Sequence, residues 1–148
     1  MPFGVLYVDD EINNLNSFKA AFRRDFEIYT AQSVREGRKI LDCCEIGVII
    51  TDQRMPGMTG IEFLESILPI YPDTIRILLT GFSDINAVMD AINRGQVYKY
   101  LVKPWVNDEL KLYIQKALEI YHLRRENKEL AHKLQLANEQ LDLLNKSR

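Results

Sequence analysis

From Phe3 to about Val106, short apolar runs alternate with amphipathic stretches. Residues 3–8, 26–31, 47–51, 74–79 and 98–102 read as strands, and residues 13–24, 33–43, 60–70 and 84–94 between them as helices. Pro72 forbids continuing the third helix, and Gly95 follows the fourth where a glycine cap belongs. The runs GVIIT and TIRILLT are nearly all apolar, as expected of strands covered on both faces of a parallel sheet. Five strands alternating with helices predict an α/β fold, a doubly wound five-stranded parallel sheet.

The fifth helix begins near Asn107, after Pro104, and the pattern does not stop it. No Gly or Pro occurs from there to about Leu144, and helix formers dominate. Counted by sevens, Ile120, Asn127, Leu134 and Leu141 share one seam position, and Leu123, Leu130, Ala137 and Leu144 share its partner. A single seam Asn, here Asn127, fixes register in two-stranded coils at some cost in stability. Glu119 and Arg124 occupy flanking positions that attract across a parallel pair. Seam burial and the cost of associating and ordering the helices nearly cancel. The expectation is therefore a marginal, concentration-dependent parallel homodimer. The domains expected are 1–120, globular, and 121–148, a coiled-coil extension leading to an output domain.

Composition narrows the class. The chain has 148 residues, 47% hydrophobic and 27% charged, which excludes a disordered protein. No apolar run approaches the ~20 residues of a membrane span, and no signal peptide precedes Phe3, so a cytoplasmic protein without membrane contact is expected. Net charge is −2, and residues 107–148 carry eight basic and seven acidic residues, too balanced for the basic region of a zipper-type DNA binder. No direct nucleic acid binding is expected. Adjacent Cys43 and Cys44 make neither a spaced bridge nor a CxxC metal site and read as free thiols. His122 and His132 fall outside the seam and read as solvated.

The chemistry lies just past strand ends, where open parallel sheets bind ligands. Asp9, Asp10 and Glu11 follow the first strand, Asp52 the third, Thr80 and Gly81 the fourth, Lys103 and Pro104 the fifth. Brought to one edge, they make three carboxylates, a hydroxyl and an ammonium. Two carboxylates ~5 Å apart repel by roughly 3 kcal/mol at an effective dielectric of ~20, so three need neutralising. An all-oxygen site suits Mg²⁺, which completes its shell with water and phosphate. A carboxylate is a competent nucleophile toward phosphorus, and Lys103 and Thr80 are the partners a new phosphoryl group wants.

The motifs VDDE, TDQRMPGMTG, LLTG and YLVKPW, in that order, resemble those of the receiver domain of two-component response regulators. The resemblance spans about residues 3–120. It implies that Asp52 accepts a phosphoryl group from a sensor histidine kinase or a small acyl phosphate. It implies that Asp10 and Asp52 ligate Mg²⁺ directly, with Asp9 acting through water and the backbone carbonyl of Arg54 completing the set. Thr80 and Lys103 would bind the phosphoryl oxygens, and Tyr100 matches the switch aromatic that turns inward when the Thr moves. The Lys103–Pro104 bond is cis in the family. Arg54 and Phe82 stand at the two places that tune acyl-phosphate hydrolysis. A bulky apolar Phe82, and an Arg54 lying over the phosphate, predict a fairly long-lived phosphoryl state.

The function expected is a phosphorylation-controlled regulatory module signalling through its helix, with no catalysis beyond self-phosphorylation and self-dephosphorylation. Two alternatives differ in class. A phosphatase with an Asp nucleophile wants a second Asp two residues after Asp52, where Arg54 stands. A constitutive dimerisation scaffold has no need of the Asp10, Asp52, Thr80 and Lys103 set.

Overall fold

A computed structural model describes residues 3–95 and 97–146. The three most apolar runs become the middle of the sheet: β1 (Gly4–Val8), β3 (Ile46–Asp52) and β4 (Ile75–Thr80) are buried at every residue. The mixed runs β2 (Glu27–Ala31) and β5 (Lys99–Val102) are half-buried edges. The order is β2-β1-β3-β4-β5, parallel throughout. Strand parity divides the core. Val5, Tyr7, Val48, Ile50, Ile77 and Leu79 pack beneath α1 (Ile12–Phe22) and the start of α5 (Asn107–Lys146). Leu6, Val8, Ile49 and Leu78 pack beneath α2 (Val34–Cys43), α3 (Gly60–Ile67) and α4 (Ile85–Gly95).

Local signals set most boundaries. Ser33 caps α2 by accepting from the Glu36 amide at 3.1 Å, and Thr59 with Glu62 forms a reciprocal capping box on α3. The third helix, expected to residue 70, ends at Ile67. Pro69 has no N–H with which to continue the ladder, and the chain turns there, closing with Tyr71 N–H on the Ile67 carbonyl at 2.8 Å. A short 3-10 turn, Phe82–Asp84, precedes α4. Cys43 and Cys44 are unbridged.

The last buried residue of α5 is Tyr121, and residues 122–146 are exposed. Forty residues of helix make a rod of ~60 Å. It starts at the carboxyl edge of the sheet and leaves past the amino edge. There the Tyr121 hydroxyl donates to Glu45 at 3.1 Å, Arg125 pairs with Glu45 at 3.3 Å, and Arg124 donates to the Asp73 carbonyl at 3.3 Å. Lys128 pairs with the Asp73 carboxylate. None of the described helices is long and apolar enough to cross a membrane.

Candidate functional site

The strand order reverses between β1 and β3, which opens a crevice at their carboxyl ends. Asp9 and Asp10 follow β1 directly, and Asp52 is the last residue of β3. Carboxylate oxygens of the three lie within 4.8 Å of one another. Asp9 is fully buried. Its Oδ2 accepts from the Tyr7 hydroxyl at 2.6 Å and the Asn14 amide at 3.0 Å, and its Oδ1 accepts from the Glu11 N–H at 3.0 Å. Asp10 stands at the open rim, half-exposed. An oxygen-only set of this size fits a small hard cation such as Mg²⁺.

Lys103 reaches Asp52 across the crevice, Nζ to Oδ1 at 2.6 Å. Burial raises the Asp52 carboxyl above the usual range, the Lys103 ammonium opposes that, and the Asp9 charge adds to it. Burial and Asp9 together hold the Tyr7 phenol far above the usual phenol range, so it remains a donor. Thr80 is fully buried, its hydroxyl donating to the neighbouring Gly81 carbonyl at 3.3 Å. The Lys103 amide donates to the Thr80 carbonyl at 2.9 Å and ties the ends of β4 and β5 together. The Lys103–Pro104 bond is cis. Tyr100 pairs in register with Leu78, and Val102 with Thr80, so Tyr100 lies half-buried on the face that carries Thr80.

Gly60 opens α3 directly against the end of β3. A Cβ there would meet the Asp52 carbonyl oxygen at 2.5 Å and Leu78 Cδ1 at 2.8 Å, so only glycine lets α3 approach so closely. Gly57, at φ +81°, turns the preceding loop.

A cleft of about 400 Å³ opens over the carboxylates, lined by Asp10, Glu11, Asp52, Arg54, Gly81, Ser83, Asp84 and Lys103. The structure thus brings together Asp9, Asp10, Asp52, Thr80 and Lys103. Of the two tuning positions, Arg54 is in the cleft wall, whereas Phe82 lies outside that lining with 83% of its surface exposed. Arg54 does not extend over Asp52. Its Nε and Nη2 each donate to an Asp84 carboxylate oxygen at 2.7 Å. Sequence reasoning missed Tyr7, Asn14 and Asp84. The signal for Tyr7 was present, since residues two apart on a strand share a face.

A parallel five-stranded sheet with an acidic cleft at its switch point, a hydroxyl and a lysine on adjacent strand ends, defines the receiver class of signalling domain. The response regulator receiver domain model matches residues 5–115, and the chain belongs to that family. The chain is 35% identical over 120 residues to the hydrogenase transcriptional regulatory protein HoxA of Cupriavidus necator, covering 81% of this chain and 25% of HoxA. It superposes on a structure described as adenylate cyclase from Rhodopirellula baltica with a TM-score of 0.83 and 34% identity, covering 90% of this chain and 99% of that one. It also superposes on the signal receiver domain of an HD domain-containing protein from Pseudomonas fluorescens with a TM-score of 0.78 and 33% identity, covering 84% and 93%. The chain spans about a quarter of the length of the curated relatives it matches.

Proposed function

We propose that Asp52 is the phosphoacceptor and that the module reports its phosphorylation through α5. The observation that carries this is the Lys103 to Asp52 contact at 2.6 Å inside a cluster of three carboxylates opening onto solvent. A free Asp52 oxygen attacks the phosphorus of a phosphohistidine or acyl phosphate. The new O–P bond forms as the P–N or P–O bond to the donor breaks, and the donor leaves with the electron pair. Asp10, Asp52 and the Arg54 carbonyl would hold Mg²⁺, with Asp9 acting through water. Bound Mg²⁺ neutralises carboxylate and phosphoryl charge. Lys103, already at Asp52, is placed to pair with the incoming oxygens. A phosphoryl group brings up to ~2 negative charges. The Thr80 hydroxyl has a 3.3 Å bond to its own neighbour to give up in moving toward it. That movement frees space on the face Thr80 shares with Tyr100.

A sensor histidine kinase is the phosphodonor this reading calls for, and an output domain beyond residue 148 the receiver of the signal. The module itself is regulatory, cytoplasmic, and without nucleic acid or membrane contacts of its own. The seam Ile120, Leu123, Asn127, Leu130, Leu134, Ala137, Leu141 and Leu144 supports a parallel homodimer. Leu123, Leu130, Leu134, Leu141 and Leu144 are each more than half exposed. The stripe that α5 gives to its own domain, Leu110, Ile114, Ala117, Leu118 and Tyr121, lies ~130° around the helix from the start of that seam. A partner therefore meets the seam from Leu123 onward without displacing the domain, whereas Ile120 is half-buried against the domain's own core.

The test is intact-mass spectrometry after incubation with Mg²⁺ and acetyl phosphate, beside Asp52→Ala. One phosphoryl group on wild type and none on the variant is the expected result. Equal labelling of the two removes the assignment of Asp52.

A further inference from the structure

Arg54 and Asp84 are 30 residues apart and belong to different loops, yet they meet in a two-pronged ion pair with both bonds at 2.7 Å. Arg54 is in the loop after β3, two residues past Asp52. Asp84 closes the 3-10 turn that follows Thr80 and leads into α4. The pair therefore ties the acceptor loop to the loop that must move with Thr80. It also stands as a partition. On one side is the cleft over Asp52, and on the other a cleft of about 480 Å³ lined by Gln53, Met55, Pro56, Thr59 and Val88, with Asp10, Arg54 and Asp84 common to both.

The two ends of the pair are unequally committed. The Arg54 side chain is 75% exposed and hinges on a flexible stem, whereas Asp84 is 16% exposed and sits in the turn itself. A guanidinium prefers a dianionic phosphoryl oxygen set to a single carboxylate, because it keeps its fork geometry and gains charge. Before phosphorylation the Asp52 charge is already met by Lys103, so Asp84 is the better partner for Arg54.

We propose that Arg54 exchanges Asp84 for the phosphoryl group when Asp52 is phosphorylated, and that Asp84 is the positioning residue that keeps Arg54 off the acceptor until then. This rests on Asp52 being the phosphoacceptor. The exchange releases the 3-10 turn at the head of α4, giving the loop that carries Thr80 a second, independent coupling to the phosphoryl group. It also places Arg54 over the acyl phosphate in the phosphorylated state alone.

The proposal is tested by a double-mutant cycle on the full chain, with beryllofluoride plus Mg²⁺ as the probe and affinity as the readout. Arg54→Ala should weaken binding, by about fivefold for an interaction of exposed ion-pair strength. Asp84→Asn, which keeps the side-chain shape but loses the charge, should tighten it by a similar factor, because Arg54 no longer has to be taken from a partner. In the Arg54→Ala background Asp84→Asn should do nothing. A purely structural Asp84 gives a weakening instead, equal in both backgrounds, and that result overturns the exchange. If wild type and all variants fail to bind the probe while Mg²⁺ still binds, the phosphoacceptor reading fails with it. Normal wild-type binding with additive variants defeats the exchange alone.

Discussion

Tyr7 on β1 and Asp9 just past its end meet on one side of the sheet, where the phenol donates a 2.6 Å hydrogen bond to a carboxylate that has no solvent exposure. A buried charge survives only where donors surround it, and Tyr7 is the shortest of three on Asp9. Tyr7→Phe keeps the ring in its contact with Phe18, centroids 4.5 Å apart, and removes only the donor. The expected cost is ~1.5–3 kcal/mol, typical of a hydrogen bond to a charged group, read from urea unfolding. No change in the midpoint would mean that water replaces the phenol as the donor.

Burying Asp52 beside Asp9 costs stability. Burial and Asp9 raise the Asp52 carboxyl in the fold above its unfolded value. The folded state then binds more protons than the unfolded one between those two values, and stability falls as pH rises through that window. In chelator, Asp52→Asn should therefore melt higher than wild type at neutral pH. The two should converge as pH drops below the ordinary carboxylate range. A variant that melts lower at neutral pH would show that the Lys103 ion pair outweighs the burial.

Divalent cation should reverse that cost. Magnesium at a hundred times its dissociation constant stabilises the fold by ~2.7 kcal/mol through binding alone. Asp10→Asn removes a proposed rim ligand without opening the core, so it should abolish the magnesium-dependent rise in Tm and leave the metal-free Tm nearly unchanged. Thermal unfolding with and without chelator checks both parts.

The approach of α3 to Asp52 depends on Gly60. Gly60→Ala places a methyl 2.5 Å from the Asp52 carbonyl oxygen, and backbone cannot yield there as a side-chain tip can. Overpacking of this kind costs ~1–3 kcal/mol. The variant should fold with a lower urea midpoint and a slower rate of labelling by acetyl phosphate, since the strand end itself must shift.

The exposed leucines of α5 set a prediction about assembly. Leu134→Asp puts a charge in the middle of the seam and should leave a monomer at every concentration reached by sedimentation equilibrium. In the proposed dimer, Asn127→Leu should tighten association and loosen register, because a polar residue at a seam position gives up stability for alignment. Indifference of the oligomeric state to both substitutions would remove the coiled coil.

The sequence alone determined the strand count, the parallel sheet and the acidic edge. Each of Asp9, Asp10, Asp52, Thr80 and Lys103 directly follows an apolar run, and in a parallel sheet all such positions fall at one edge whatever the details of packing. The long helix was equally legible, because the absence of Gly and Pro and the seven-residue spacing are local properties. Tertiary structure alone decided the pairings. Tyr7 reads as one more apolar strand residue until its hydroxyl is seen to meet Asp9. Arg54 finds Asp84 only because β3 and β4 are neighbours, and no local pattern connects residues 54 and 84. The root of the rod is fixed by Arg124, Arg125 and Lys128 on Asp73 and Glu45, loop residues whose proximity follows from the angle at which α5 crosses the sheet. Periodicity records which way a side chain faces, and long-range partners depend on how the layers are stacked. That stacking decides where the Arg54 charge rests.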